Sequence, residues 1–275
     1  MRRETFPASG PIRLDLHVDA GEIVVEAGVV AETIVELEPL GGEESERAVE
    51  EARVDFHDGV LVVDVPGQRG IRLFARSPEV RLTVHCPSGC DLEIRAASAD
   101  LRAAGRFASA DVESASGDVE LAEVAGDAKA KAASGDVKLG SVGGSLRAEA
   151  ASGDVEVEQV ARDAKVRTAS GDVSVGRADS SLTVQTASGD QRIDCVSEGQ
   201  VSLRSASGDI WIGIRRGSAV WVDAASISGD TTSELDVGGA PPAEGGEGPL
   251  VELRAQSMSG DVHVARATTA PELER

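Results

Sequence analysis

The chain is nearly without aromatic residues: two Trp, four Phe and no Tyr among 275 positions. A core of packed rings is therefore excluded, and Val, Leu, Ile and Ala have to fill the interior. Cysteine is scarce too. Cys86, Cys90 and Cys195 cannot make a disulfide framework. No apolar run approaches the roughly 18 residues of a membrane-spanning helix. The opening residues Met1–Pro7 lack the apolar stretch of a secretory signal. These absences read as a reduced, cytoplasmic protein. Basic side chains are outnumbered, 27 Lys and Arg against 48 Asp and Glu, for a net charge of −21. That balance disfavours nucleic acid and anionic membranes as partners.

What the chain has in plenty is one short motif. Ser-Gly-Asp glycines fall at Gly117, Gly135, Gly153, Gly171, Gly189, Gly208, Gly229 and Gly260. The first four gaps are 18 residues each, and the next three are 19, 21 and 31. A degenerate copy, Ser98-Ala99-Asp100, precedes the first. A fixed period this short means one supersecondary unit stacked on copies of itself. Within each period apolar and polar residues alternate, as in Val119, Leu121 and Val124, then Ala128, Ala130 and Ala132. Period-two alternation marks half-buried strands, two per repeat.

The columns decide how the repeats stack. Val119, Val137, Val155 and Val173 hold one position in successive repeats, and Leu121, Leu139, Val157 and Val175 hold another. Like residues at one-repeat spacing suit parallel stacking of coil over coil at about 4.8 Å. An up-and-down meander would not need such columns. The sequence therefore predicts an all-β, right-handed parallel β-solenoid (β-helix) with coils of about 18 residues, regular over 97–237. The hand follows from that of parallel strand connections.

Three regions are expected along the chain. Residues 1–90 read as N-terminal strands with a short inserted helix over about 43–54, capping the solenoid. Residues 91–267 read as regular coils, interrupted by a Gly- and Pro-rich surface loop at 238–249. Leu250–Ala255 and Val262–Ala265 then complete a last coil, and 268–275 form a tail.

An N-terminal strand region, then Val84-His85-Cys86-Pro87, then a run of Ala-Ser-Gly-Asp-Val-x-Val coils resembles the bacterial putative-adhesin family, a β-strand-repeat domain of unknown function. The resemblance spans roughly residues 10–265. It implies a solenoid fold and supplies no catalytic residues to carry over.

Several constellations bear on function. Asp100, Asp118, Asp136, Asp154, Asp172, Asp190 and Asp209 would stack about 5 Å apart. A calcium ladder is one reading of that column. The favoured reading is an Asx-turn, each Asp bonding its own backbone after a glycine corner. A stripe of Lys129, Arg147 and Lys165, with Lys131, Arg167 and Arg204 two positions on, reads as a solvated face balanced by acids. His85, Cys86 and Cys90 have a poor zinc spacing, Cys-x3-Cys with one His, and read as buried thiols. His17, His57 and His263 are too scattered for a triad. Trp211 stands where earlier coils place Glu120, Lys138 and Glu156 on the outside. With Trp221 it makes a candidate interaction face.

The sequence thus predicts a non-enzymatic solenoid scaffold or interaction protein with no cofactor and no bound metal. Its partner is expected to be a protein or a second copy in a homodimer. A self-assembling or metal-responsive scaffold is the alternative. A carbohydrate-active β-helix enzyme is disfavoured, because uniform coils do not form a cleft.

Overall fold

The computed structural model describes residues 1–7, 10–67, 77–235 and 249–267. They divide into two units, Met1–Gly143 and Gly144–Arg275.

The first unit holds β1 (Arg2–Pro7), β2 (Arg13–Gly28), β3 (Glu32–Pro39), α1 (Glu43–Glu51), β4 (Arg53–His57), β5 (Val60–Val65) and β6 (Val80–Pro87). It continues with β7 (Asp91–Phe107), β8 (Ser109–Ser116), β9 (Val119–Val124), β10 (Ala128–Ser134) and β11 (Val137–Val142). The coil strands pair in parallel and in register. Val137 faces Val119, and Leu139 faces Leu121. β8 and β10 likewise set Val112 against Ala130. The inward residues of these strands are buried, so the predicted columns are the core.

Coil order departs from chain order at the start of this unit. β2 pairs in parallel with β5 and β6 on one edge and with β7 on the other. The coil made by β5 and β6 is thus the outer one, although β2 precedes it in sequence. Antiparallel strands cover that outer coil, β3 on β6 and β4 on β5, with β1 on β3. The expected helix is α1. Acids Glu43, Glu44 and Glu46 occupy its first turn, where the helix dipole favours negative charge. Its last turn has no basic residue of its own. The Arg2 guanidinium supplies one, donating to the carbonyls of Val49 and Ala52.

The second unit holds β12 (Leu146–Ser152), β13 (Val155–Val160), β14 (Ala164–Ser170), β15 (Val173–Ala178), β16 (Leu182–Ser188) and β17 (Gln191–Val196). It continues with β18 (Gly199–Ser207), β19 (Ile210–Ile214), β20 (Ala219–Ser228), β21 (Thr231–Ser233), β22 (Leu250–Ser259) and β23 (Val262–Arg266). Val155 faces Val173, which faces Gln191, which faces Ile210. Gln191 is fully buried in this column, and its amide donates to Thr186 Oγ1 (2.9 Å) and the Arg204 carbonyl (2.7 Å).

The coil around Gly260 is not the last one in space. β22 lies between β18 and β20, and β23 between β19 and β21. The final segment of chain inserts in the middle, and the coil of β20 and β21 becomes the outer one. Among the described residues β20 pairs with β22 alone. Val220, Val222 and Ala224 of β20 are accordingly only half-buried, while their partners Val251, Leu253 and Ala255 are buried. The loop expected over 238–249 lies, apart from Pro249, outside the described residues, as does the tail from 268.

Candidate interaction face

Each coil turns at its Gly-Asp corner, and the corner explains the motif. Gly135 has φ +120°, and a Cβ there would sit 2.4 Å from the Gly117 carbonyl oxygen. Gly189 has φ +133°, with the Gly171 carbonyl oxygen 2.1 Å from the same imagined atom. Glycine is thus required twice over, by dihedral and by the closeness of the next coil.

The aspartate after it does something other than the expected Asx-turn. Its carboxylate bonds the neighbouring coil, not its own backbone. Asp118 N–H donates to Asp100 Oδ1 (3.0 Å) and Asp136 N–H to Asp118 Oδ1 (2.9 Å) in the first unit. In the second, Asp172, Asp190 and Asp209 donate in turn to Asp154, Asp172 and Asp190, each at 2.8 Å. The ladder then follows the spatial order of coils, Asp261 to Asp209 (2.7 Å) and Asp230 to Asp261 (2.8 Å). Stacking presents each N–H to the carboxylate one coil away, and this wins over the local turn because it satisfies a corner donor that the strands leave over.

Two residues beyond each Asp is an outward position, and these positions line up into a ladder. In the first unit it runs Arg102, Glu120, Lys138. Arg102 Nε pairs with Glu120 at 2.9 Å. A groove of about 300 Å³ here is lined by Glu22, Asp100, Arg102, Asp118, Glu120 and Lys138 among others. In the second unit the ladder runs Glu156, Ser174, Arg192, Trp211, His263, Thr232. A groove of about 370 Å³ lies along it, lined by Asp172, Val173, Ser174, Asp190, Arg192 and Trp211. Small Ser174 opens this groove and Trp211 walls it.

Trp211 is 50% exposed. Its ring packs against His263 at 4.6 Å between centroids. The His263 Nδ1 lies 2.8 Å from Thr232 Oγ1, which fixes the ring behind the indole. Trp221 is elsewhere. It sits on β20, facing Glu252 of β22, half-buried with the Arg254 guanidinium 5.8 Å from its ring centre. Trp211 on β19 and Trp221 on β20 belong to different coils, with that of β22 and β23 between them, and to two ladders.

Lys129, Lys131 and Arg147 of the basic stripe are paired with acids where they stand. Lys129 Nζ contacts Asp111 (2.9 Å) and Glu113 (3.1 Å), and Lys131 contacts Glu113 (3.3 Å). The hydrogen bonds to Asp111 and Glu113 raise the Lys129 pKa, and those from Lys129 and Lys131 lower that of Glu113. Arg147 pairs with Glu149 at 2.6 Å and Arg167 Nε donates to Gln185 Oε1 at 3.1 Å.

Cys86 and Cys90 are fully buried, whereas His85 lies on the outer side with its Nδ1 3.0 Å from Glu26. Alternation along β6 puts His85 and Cys86 on opposite faces, so they do not converge on one ion. The Cys90 thiol donates to the Pro87 carbonyl (3.0 Å). A hydrogen bond to Cys90, together with burial, pushes the Cys86 thiol up. Among the described residues no group of three or more His, Cys, Asp or Glu is arranged to hold a metal ion. No described helix is long and apolar enough to cross a membrane.

Ile227 and Met258, 82% and 59% exposed, are surface apolar residues that the sequence reading passed over. The signal was present: they replace the alanine of Ala-Ser-Gly-Asp in the two coils that change places.

Stacked parallel coils with alternating outward ladders define a β-solenoid of the repeat class. More particularly, the chain belongs to the family described as Toastrack DUF4097, whose model matches residues 75–160 and 142–264. Similar solved structures include a putative adhesin from Bacteroides fragilis, 13% identical over 96% of this chain and 97% of that one, TM-score 0.45. Another is a putative adhesin from Parabacteroides merdae, 10% identical over 96% and 95%, TM-score 0.47. A third, from Parabacteroides distasonis, is described as a putative lipid binding protein and is 10% identical over 97% and 96%, TM-score 0.28. Nothing among curated proteins matches the chain.

Proposed function

We propose that the chain is a non-enzymatic binding module and that the Trp211 ladder of its second unit is the contact face. One observation carries this reading: a half-exposed tryptophan, braced from behind by His263 and Thr232, at a position that other coils fill with charged or small side chains. A large ring held rigid at the surface gains contact area on binding while losing little conformational freedom. A glycoside hydrolase of the usual kind would need two carboxyl groups opposed across a scissile bond, one of them protonated. Asp172 and Asp190 instead stand side by side on one ladder, each accepting a backbone N–H, from Asp190 and Asp209 in turn.

A second copy of the chain meeting the β20 edge is a second reading, separate from the Trp211 face, and it should respond to Trp221→Ala. The β20 edge is unpaired among the described residues, and 210–233 carries two acidic and two basic side chains in a chain of net charge −21. Two such edges can meet without the repulsion the rest of the surface would impose.

The test is a binding panel of oligosaccharides, peptides, anionic polymers and the chain itself, using wild type, Trp211→Ala and Trp221→Ala. Any panel member other than the chain itself should lose roughly tenfold or more in affinity with Trp211→Ala. Such a ligand held equally well by Trp211→Ala, or release of a product from any panel member by the wild-type chain, would overturn the reading.

A further inference from the structure

We propose that the groove beside Trp211 binds a neutral glycan, one sugar ring lying on the indole and its hydroxyls bonded by Arg192, Asp172 and Asp190. This rests on the reading of that face as the binding site and names its ligand class.

The groove joins two chemistries that a sugar also joins. A pyranose has an apolar C–H face and a polar rim of hydroxyls. Trp211 offers the apolar platform, and His263 behind it keeps the ring from turning away. The rim needs planar groups with free atoms. Asp172 and Asp190 each use Oδ1 for the N–H one coil away, at 2.8 Å. Their Oδ2 atoms have no partner among the described residues. Arg192 holds Asp194 through Nε (2.9 Å), which leaves its two terminal nitrogens without partners among the described residues. A carboxylate and a guanidinium with free in-plane atoms accept from and donate to neighbouring hydroxyls.

The same groups argue against other ligands. An anionic polymer would meet the carboxylate ladder of Asp172, Asp190, Asp209, Asp261 and Asp230, with Arg192 already paired to Asp194. An apolar segment would cover the free carboxylate oxygens and leave them unsatisfied, which is costly. Hydroxyls satisfy them without adding charge. A volume of about 370 Å³ is in the range of small-ligand clefts. The ladder repeats every coil, about 4.8 Å, comparable to the length of one sugar unit in an extended chain. Successive sugars can therefore meet successive carboxylates, and an oligomer should bind better than a disaccharide.

Calorimetry and tryptophan emission with hexamers of β-1,4-linked glucose, mannose and xylose, and with polygalacturonate, test the idea on the full chain. The expected result is saturable binding of at least one neutral hexamer, weaker for its dimer. Trp211→Ala should abolish it, Trp211→Phe should keep part of it, and Arg192→Ala should weaken it several-fold. Trp211 and Arg192 are at the surface, and the melting temperature of each variant confirms its fold. Binding of polygalacturonate alone would overturn the proposal. So would a peptide or second copy that needs Trp211 when no neutral hexamer binds, and that outcome would leave the contact face itself standing. No Trp211-dependent ligand of any kind would sink both.

Discussion

The grooves beside Glu120 and beside Trp211 occupy the same place on the same scaffold, two residues past a Gly-Asp corner. Each holds an arginine paired through Nε at 2.9 Å, Arg102 with Glu120 in the first and Arg192 with Asp194 in the second. What the second adds is a braced aromatic ring, Trp211 against His263, where the first has Glu120 and Lys138. A solenoid coil spends its inward residues on stability and leaves its outward residues free to vary. Function in such a fold is written in departures from the repeat, while the repeat itself reports only architecture.

If the scaffold is common to both regions, breaking it should cost the same in each. Val137 and Val155 are buried in the column of their own units, 0% and 1% exposed. Placing a carboxylate in either dry interior should cost about 3–5 kcal/mol. Both tryptophans lie in the second unit. Urea unfolding read by fluorescence follows that unit, and circular dichroism follows the whole chain. Val155→Asp should lower the midpoint by both probes, and Val137→Asp should lower the dichroism midpoint by a similar amount. Tolerance of either substitution within 1 kcal/mol would mean that the column is not core.

The period and the columns were legible because a parallel coil must place like side chains over like, and sequence spacing records that directly. The order of coils was not. Every coil offers the same hydrogen-bonding edges and the same alternation, so nothing local tells β22 to enter between β18 and β20, or β2 to lie inside β5 and β6. The only trace is side-chain size at the corner, where Ile227 and Met258 replace alanine. Trp211 stood out as a break in an outward column. Its separation from Trp221 did not, because ten residues carry the chain from β19 to β20, a strand of a different coil. His263 escaped notice as part of the face because it adjoins Trp211 only once β23 is stacked beside β19, whereas Arg192 precedes Trp211 by one coil in chain order and its place was legible from the spacing.

The aspartate ladder is the feature the two units share at the surface, and it can be dissected by charge and by shape. Asp190→Ala removes the acceptor of the Asp209 N–H, and Asp118→Ala that of the Asp136 N–H. Each should cost about 0.5–1.5 kcal/mol. Asn at either position keeps an acceptor oxygen and removes repulsion from the carboxylates one coil away, worth about 1 kcal/mol near water. Asn should therefore be as stable as Asp or more so in thermal melts. A loss with Asn equal to that with Ala would show that the carboxylate charge is needed, as it would be with a bound cation. Millimolar calcium should then raise the melting temperature of wild type and not of the Asn variant.

The smallest effect expected is at the ion pair that fills the groove of the first unit. Arg102 and Glu120 are 68% and 54% exposed as side chains. Water screens such a pair and both long side chains lose freedom in forming it, so its coupling should be below about 1 kcal/mol. A double-mutant cycle with Arg102→Ala and Glu120→Ala, read by dichroism in low and high salt, measures it. Coupling that is small and vanishes in high salt makes the pair a way of keeping this outward ladder inert, each charge occupied by its neighbour. A coupling of several kcal/mol that survives salt would make it a structural element instead. The contrast with the second unit would then rest on the stability this pair confers as well as on the ring of Trp211.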